Sequence, residues 1–181
     1  NIRKAGEMIA DAYQEDRLVH VYGGGGHTCM MVFEMFFRAG GLANVNPILG
    51  HDISPMCQAL KYLEVERTTG YGACLIRYYN VSKGDLLIIF HNIGLNPTTI
   101  DAAEEAKKRG AKIIAVSSSE WPKKLPLNHH IQLSFDSIIG QLNIPHSFLK
   151  LFELFLKIIK SFINLLKPLI VNIDQISPVL P

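Results

Sequence analysis

The sequence has 181 residues, 48% of them apolar and 19% charged, with a formal net charge of +2. That length suits one well-cored domain rather than two of ordinary size, and the composition excludes a disordered chain. With so small a charge and no clustered basic face, no nucleic-acid partner is expected.

In chain order, Ile2 to Gln14 carries apolar residues at Ile2, Ala5, Ile9, Ala12 and Tyr13, the spacing of one helix face. Leu18–Tyr22 reads as a buried strand. A long helical stretch from Thr28 to Ala39 follows, closed by Gly40-Gly41, since glycine just past the last periodic residue stops a helix. Val45–Leu49 is a short strand that Pro47 moves towards an edge of the sheet. Residues 50–54 read as a loop and Pro55 to Glu66 as weakly helical, while Tyr71 to Tyr79 fits a helix or an extended segment equally.

The next unit is clearer. Strand Asp85–Phe90 leads through a turn to helix Thr98–Arg109, with Thr98 and Asp101 spaced as in a capping box. Gly110 ends that helix, and Lys112–Val116 is a further strand followed by Ser117-Ser118-Ser119. A strand, a helix and a strand at this length make a right-handed parallel crossover. The expected fold is therefore a three-layer α/β/α sandwich around a doubly wound parallel sheet.

After about Pro126 the character changes: arginine disappears, Gly140 is the one glycine left, and Leu, Ile, Phe, Lys, Asn and Ser dominate. The expected division is an α/β domain over residues 1–126 and a divergent segment over 127–181. From Ser147 to Lys167 the polar residues Lys150, Glu153, Lys157, Lys160, Ser161, Asn164 and Lys167 form a narrow stripe on an apolar helix bounded by Pro145 and Pro168. Such a helix suits packing onto the domain or a dimer partner, or an interfacial membrane position. It is too interrupted by charge to span a bilayer. A divergent end or an altered reading frame would each account for the shift.

Cys29, Cys57 and Cys74 are odd in number and lack C-x-x-C spacing. With no signal peptide visible, they are expected to be reduced thiols of a cytoplasmic protein, and neither a metal nor a cofactor is expected. The sequence begins at Asn1 rather than Met, so the true N-terminus is expected to lie further upstream.

The chemistry gathers at two glycine-containing turns that each end an apolar strand. The first is Gly23-Gly24-Gly25-Gly26-His27-Thr28, and the second His91-Asn92-Ile93-Gly94-Leu95-Asn96. A strand, a glycine turn and a helix start converge backbone N–H groups on one point, with the positive end of the helix dipole behind them. Two such turns on the carboxyl edge of one sheet predict a pocket for a phosphorylated small molecule. The dinucleotide fingerprint fails, because Thr28 or Cys29 stands where its third glycine belongs and no acidic residue closes the second strand. A P-loop fails for want of Gly-Lys-Ser/Thr. A phosphate monoester remains, with a purely structural tight turn as the plainer possibility.

The stretches Gly23 to Thr28, Glu34-Met35-Phe36-Phe37-Arg38-Ala39-Gly40-Gly41-Leu42 and Asn46-Pro47-Ile48-Leu49 resemble the sugar isomerase (SIS) domain, and within it the UPF0309 branch of phosphosugar-binding proteins. Glu66-Arg67, Gly70-Tyr71-Gly72, Gly84-Asp85 and Arg109-Gly110-Ala111-Lys112 fit the same pattern, over roughly residues 1 to 125. The resemblance implies a parallel α/β fold of flavodoxin-like type, a small phosphorylated sugar as ligand, and a homo-oligomer that completes its pockets with a neighbour. Its first loop ends here in Thr28 where the family has serine, a hydroxyl kept. Its second usually carries two serines, replaced here by His91 and Ile93. Each lost hydroxyl bond to a charged ligand costs about 1.5–3 kcal/mol, unless backbone N–H groups and a protonated His91 substitute for it.

On this resemblance the ligand contacts fall at Gly24, Gly25, Gly26 and Thr28, at Asn92, Gly94 and Asn96, and at Ser117, Ser118 and Ser119 as a third wall. Aldose–ketose isomerisation needs a base to move a proton between adjacent carbons, often with a histidine to help open the ring. Glu66 is the candidate base and His27 its candidate partner. Either residue also suits a plainer role, Glu66 as a helix carboxylate paired with Arg67 and His27 as loop packing. Glu34 and Arg38, four apart, fit a simple surface pair. An isomerase, a related lyase and a phosphosugar sensor without turnover all remain compatible with this fold.

Overall fold

The apolar runs Val19–Gly23, Leu86–Phe90 and Lys112–Val116 are short, rich in β-branched residues and bounded by turns, so they form strands, the first two buried throughout and the third from Ile114 onward. The computed structural model describes residues 2–26, 28–56, 58–91 and 96–117. Within them the chain runs α1 (Ile2–Gln14), β1 (Val19–Gly23), α2 (Cys29–Phe36), β2 (Val45–Ile48), α3 (Ala59–Val65), α4 (Tyr71–Tyr78), β3 (Leu86–Phe90), α5 (Pro97–Lys108) and β4 (Lys112–Val116). All strands are parallel, in the order β2-β1-β3-β4. Pro47 lies on β2, an edge strand, where the hydrogen that proline lacks is not required by an inner ladder.

Strand alternation sorts the core into two layers. Val19, Val21, Leu86, Ile88, Phe90, Ile114 and Val116 face α1 and α2, meeting Ala5, Ile9, Ala12, Met31 and Val32. Tyr22, Leu87 and Ile89 face the opposite way, against Tyr62, Leu75, Ile76, Ala102, Ala103 and Ala106 from α3, α4 and α5. The result is a three-layer α/β/α sandwich, as the sequence pattern predicts.

Local corrections have local causes. α2 stops at Phe36, and the chain turns before Gly40, which sits at φ +77°. Residues 50–54 include a short 3-10 turn at His51–Ile53. Tyr71–Tyr78 is helical, its start set by Gly70 at φ +88°. The Thr98–Asp101 capping box does not form, because Asn96 is the N-cap of α5 and Thr98 lies inside the helix. Asp101 instead accepts a hydrogen bond from the Gly70 N–H, so α5 caps the start of α4. The proposed C-terminal helix and the whole of residues 127–181 lie outside the described residues.

Register settles where the two turns lie. Gly23 pairs with Phe90 at the ends of parallel β1 and β3, so both turns leave the sheet on its carboxyl edge. That edge is where open α/β sheets bind ligands.

Candidate functional site

The first turn is closed upon itself. The Gly25 N–H donates to Thr28 Oγ1 (3.0 Å), and that hydroxyl donates back to the Gly25 carbonyl (2.8 Å). The Thr28 and Cys29 N–H groups also end on the Gly25 carbonyl, at 2.9 and 3.1 Å. Thr28 is therefore buried with its single hydroxyl proton used inside the turn. The expectation that it donates to a ligand is not met in this arrangement, because a hydroxyl carries one proton and Gly25 holds it. The glycines themselves are required by close approach: a Cβ on Gly23 would lie 2.4 Å from the Thr28 carbonyl oxygen, and one on Gly24 2.2 Å from Thr99 Oγ1.

The Gly26 N–H points elsewhere, to the phenol oxygen of Tyr62. Tyr62 lies on α3 with its ring in the core and its hydroxyl at the sheet edge. That hydroxyl donates to Glu66 Oε2 at 2.5 Å. Burial pushes the Tyr62 phenol up, and its hydrogen bond to Glu66 pushes it further, so it stays a protonated donor.

Glu66 is the junction of the site. Its side chain is 13% exposed, just past the end of α3. Asn96, at the end of the second turn, gives one amide hydrogen to Glu66 Oε2 and the other to the Gly24 carbonyl, both at 2.9 Å. Thr99 Oγ1 donates to Asn96 Oδ1 at 3.4 Å, which fixes the sense of the amide. Thr98 sends its N–H and its hydroxyl to the Glu66 carbonyl, at 3.4 and 3.2 Å. On the outer side, Arg67 lies 3.7 Å from Glu66 Oε1. The structure thus links the candidate base through Asn96 to Gly24 and through Tyr62 to Gly26, joining the two turns through one carboxylate. Asn96 reaches Glu66 and Gly24 with both of its donors, leaving the amide none for a phosphate.

His91 follows β3 and is buried, its ring near Gly25: a Cβ there would meet His91 Nε2 at 3.2 Å. Burial pushes its pKa down to about 4, offset in part by a hydrogen bond with Asn96. The ring is neutral at pH 7, so the expected role of a cationic phosphate donor is corrected. Ser117 ends β4 on the same edge, buried, and its hydroxyl has no partner among the described residues. His27, Asn92, Gly94, Ser118 and Ser119 lie outside the described residues. Glu34 and Arg38 pair on the surface, away from this network. Among the described residues no group of three or more His, Cys, Asp or Glu is placed to hold a metal, and no helix is long and apolar enough to cross a membrane.

No sequence motif marks Tyr62. Its spacing from Glu66, four positions along a helix, is the signal that places both on one face.

A depressed histidine has a consequence for stability. In the unfolded chain His91 takes a pKa near 6.5, so between that value and about 4 the unfolded state binds the extra proton. Stability contributed by the neutral ring is complete above about pH 6.5 and is lost progressively as pH falls to about 4, a change of about 3 kcal/mol. His20 acts in the same sense. It is buried, with Nδ1 3.1 Å from Asn46 Nδ2, and burial lowers its pKa despite Asp85 at 3.5 Å. Thermal unfolding at pH 7 and pH 4.5 should show a smaller acid loss in His91→Ser than in the native chain. Equal losses in the two would remove His91 as the cause.

Comparison with known proteins meets this geometry. The SIS domain family matches residues 1–118. The chain is similar to a UPF0309 protein of Thermoanaerobacter pseudethanolicus, 38% identical over 131 residues, covering 71% of this chain and 53% of the relative. It is likewise similar to a UPF0309 protein of Brucella ovis, 35% identical over 144 residues, covering 80% and 59%. The chain spans a little over half the length of these relatives. Among solved structures, it shares its fold with a phosphoheptose isomerase of Neisseria gonorrhoeae. There the TM-score is 0.58 at 15% identity, covering 92% of this chain and 85% of that one. A phosphoheptose isomerase of Francisella tularensis gives 0.58 at 14%, covering 89% and 82%.

Proposed function

The chain belongs to the SIS-domain family, and on that premise we propose that it binds a sugar phosphate and interconverts its aldose and ketose forms, with Glu66 as base. The observation that carries this reading is the Glu66 carboxylate, held at the carboxyl edge of the sheet between two glycine turns. The named function of the solved relatives, isomerisation of a phosphoheptose, agrees with that chemistry.

In the proposed step the carboxylate takes the C2 proton of the open-chain aldose, the C2–H pair becomes the C1=C2 double bond, and the carbonyl π pair moves onto O1 to give an enediolate. Returning the proton to C1, while the C2 hydroxyl passes its own proton to O1 and becomes the carbonyl, gives the ketose. His27 is the proposed helper in ring opening. The phosphate is proposed at the second turn, with Asn92, Gly94 and Ser117 to Ser119 around it; the α5 N-terminus adds the favourable sign of its dipole, its Thr98 and Thr99 N–H groups being taken by Glu66 and Asn96. The first turn, whose Gly25 and Gly26 N–H groups are already engaged, serves as a wall and as an anchor for Glu66. Exposed Met30, Phe33, Phe36 and Phe37 along α2 and just beyond it support self-assembly as a further part of this reading.

Binding without turnover is the competing reading. It draws on the number of partners that Glu66 already has, which also suits a structural carboxylate.

The experiment is a thermal-shift and calorimetric screen of ribose 5-phosphate, glucose 6-phosphate and a heptose 7-phosphate against the unphosphorylated sugars. A phosphorylated ligand at one hundred times its Kd should stabilise by about 2.7 kcal/mol, and the free sugar should not. Ile93→Ser, restoring a hydroxyl donor, should tighten binding by about tenfold or more. Equal responses to sugar and sugar phosphate overturn the phosphate site. Binding without aldose–ketose interconversion selects the sensor reading.

A further inference from the structure

The two oxygens of Glu66 are treated differently by the fold. Oε2 accepts from Tyr62 Oη at 2.5 Å and from Asn96 Nδ2 at 2.9 Å. Among the described residues Oε1 accepts no hydrogen bond, and its charged neighbour is the exposed Arg67 guanidinium, 3.7 Å away. We propose that Tyr62 and Asn96 form a two-donor cradle that fixes Oε2 and dedicates Oε1 to proton transfer, with Tyr62 as a positioning residue. This rests on the reading of Glu66 as the base.

Three features support the cradle. First, both donors are themselves anchored to the first turn: Tyr62 Oη accepts the Gly26 N–H, and Asn96 bonds the Gly24 carbonyl. A carboxylate held from two elements loses its rotation, and a proton acceptor must be held in place to act within reach of one carbon. Second, the Tyr62 phenol stays protonated, so its bond to Oε2 persists wherever the carboxylate is charged. Third, the Asn96 amide can turn only one way, since both of its hydrogens face acceptors and its oxygen faces the Thr99 hydroxyl. Among the described residues the titratable and charged groups around the carboxylate are Tyr62 and Arg67, with the Cys29 thiol beside the phenol and the His91 ring on Asn96.

Removing the phenol oxygen while keeping the ring takes away one of the two donors on Oε2, so the carboxylate should regain rotation. The test uses the full chain with ¹³C-labelled glutamate, the Glu66 signal being assigned by its loss in Glu66→Gln. In Tyr62→Phe that carboxyl signal, read at pH 7, should shift and broaden against the native one. The same variant, assayed with the sugar phosphates named above, should lose about 10- to 100-fold in kcat with KM changed less than about threefold.

An unchanged carboxyl signal overturns the cradle, whatever the chain does to sugar phosphates. A changed signal with undiminished kcat overturns the dedication of Oε1. A native chain that exchanges no C2 proton on any of the three sugars overturns the enzymatic reading and the role of Oε1 with it, and the carboxyl signal still separates that failure from failure of the cradle. Tyr62→Phe and the native chain should unfold within a few degrees of one another, because the ring remains in the core.

Discussion

Glu66→Gln should lower aldose–ketose interconversion, and exchange of the C2 proton with solvent, by about 10²–10⁴-fold, the range lost with a positioned general base. The substitution is chosen because it leaves the geometry in place. The amide oxygen it introduces can still accept from Tyr62 and Asn96, as Oε2 does in the native chain. The exposed contact with Arg67 contributes little to stability. Melting temperature should thus stay within a few degrees, and binding of a sugar phosphate should persist, since in the proposed reading the phosphate carries most of the affinity. A Glu66→Gln chain that retains native turnover removes Glu66 as the base. One that fails to bind as well as to turn over places the native carboxylate in ligand binding instead.

Much of the framework was legible because it follows from local pattern. The three buried runs, two of them leading into glycine-containing turns, give parallel strands, and Pro47 gives an edge. Glu66 was legible only through family resemblance, since a lone Glu-Arg pair near a helix end is common. The network around it was not legible, because it joins residues 30 to 72 positions apart: Asn96 to Glu66, Gly26 to Tyr62, Asn96 to Gly24. No periodicity encodes such contacts. Thr28 shows the opposite failure. A hydroxyl at a helix start suggests a ligand donor, but the same short side chain can reach its own turn three residues back, and there it does. The Thr98–Asp101 spacing misled for a related reason. A preceding Asn96-Pro97 starts the helix two residues earlier, with proline in the first turn where its missing N–H costs nothing.

The second large effect concerns how that network is held from behind. Gly72→Ala should destabilise the chain by about 3 kcal/mol or more, the upper range for overpacking. Gly72 is in α4, where alanine would normally gain about 1 kcal/mol in helix propensity. Here a Cβ would stand 1.9 Å from the Thr98 carbonyl oxygen, 2.7 Å from its carbon and 2.9 Å from the Ala102 nitrogen. All three are backbone atoms of α5, so no side chain can swing aside and the two helices must part. The displacement falls on the first turn of α5, which carries Thr98 and Asn96, the residues bonded to Glu66. Chemistry at Glu66 should therefore weaken along with stability, even though Gly72 touches neither turn. Gly6→Ala in α1 is the control: among the described residues nothing lies within 4 Å of its added Cβ. It should gain about 0.5–1 kcal/mol from the same propensity. Thermal unfolding of the two variants beside the native chain separates the effects. If both shift upward, α4 and α5 do not cross as closely as this packing requires, and the support assigned to the Glu66 network is lost.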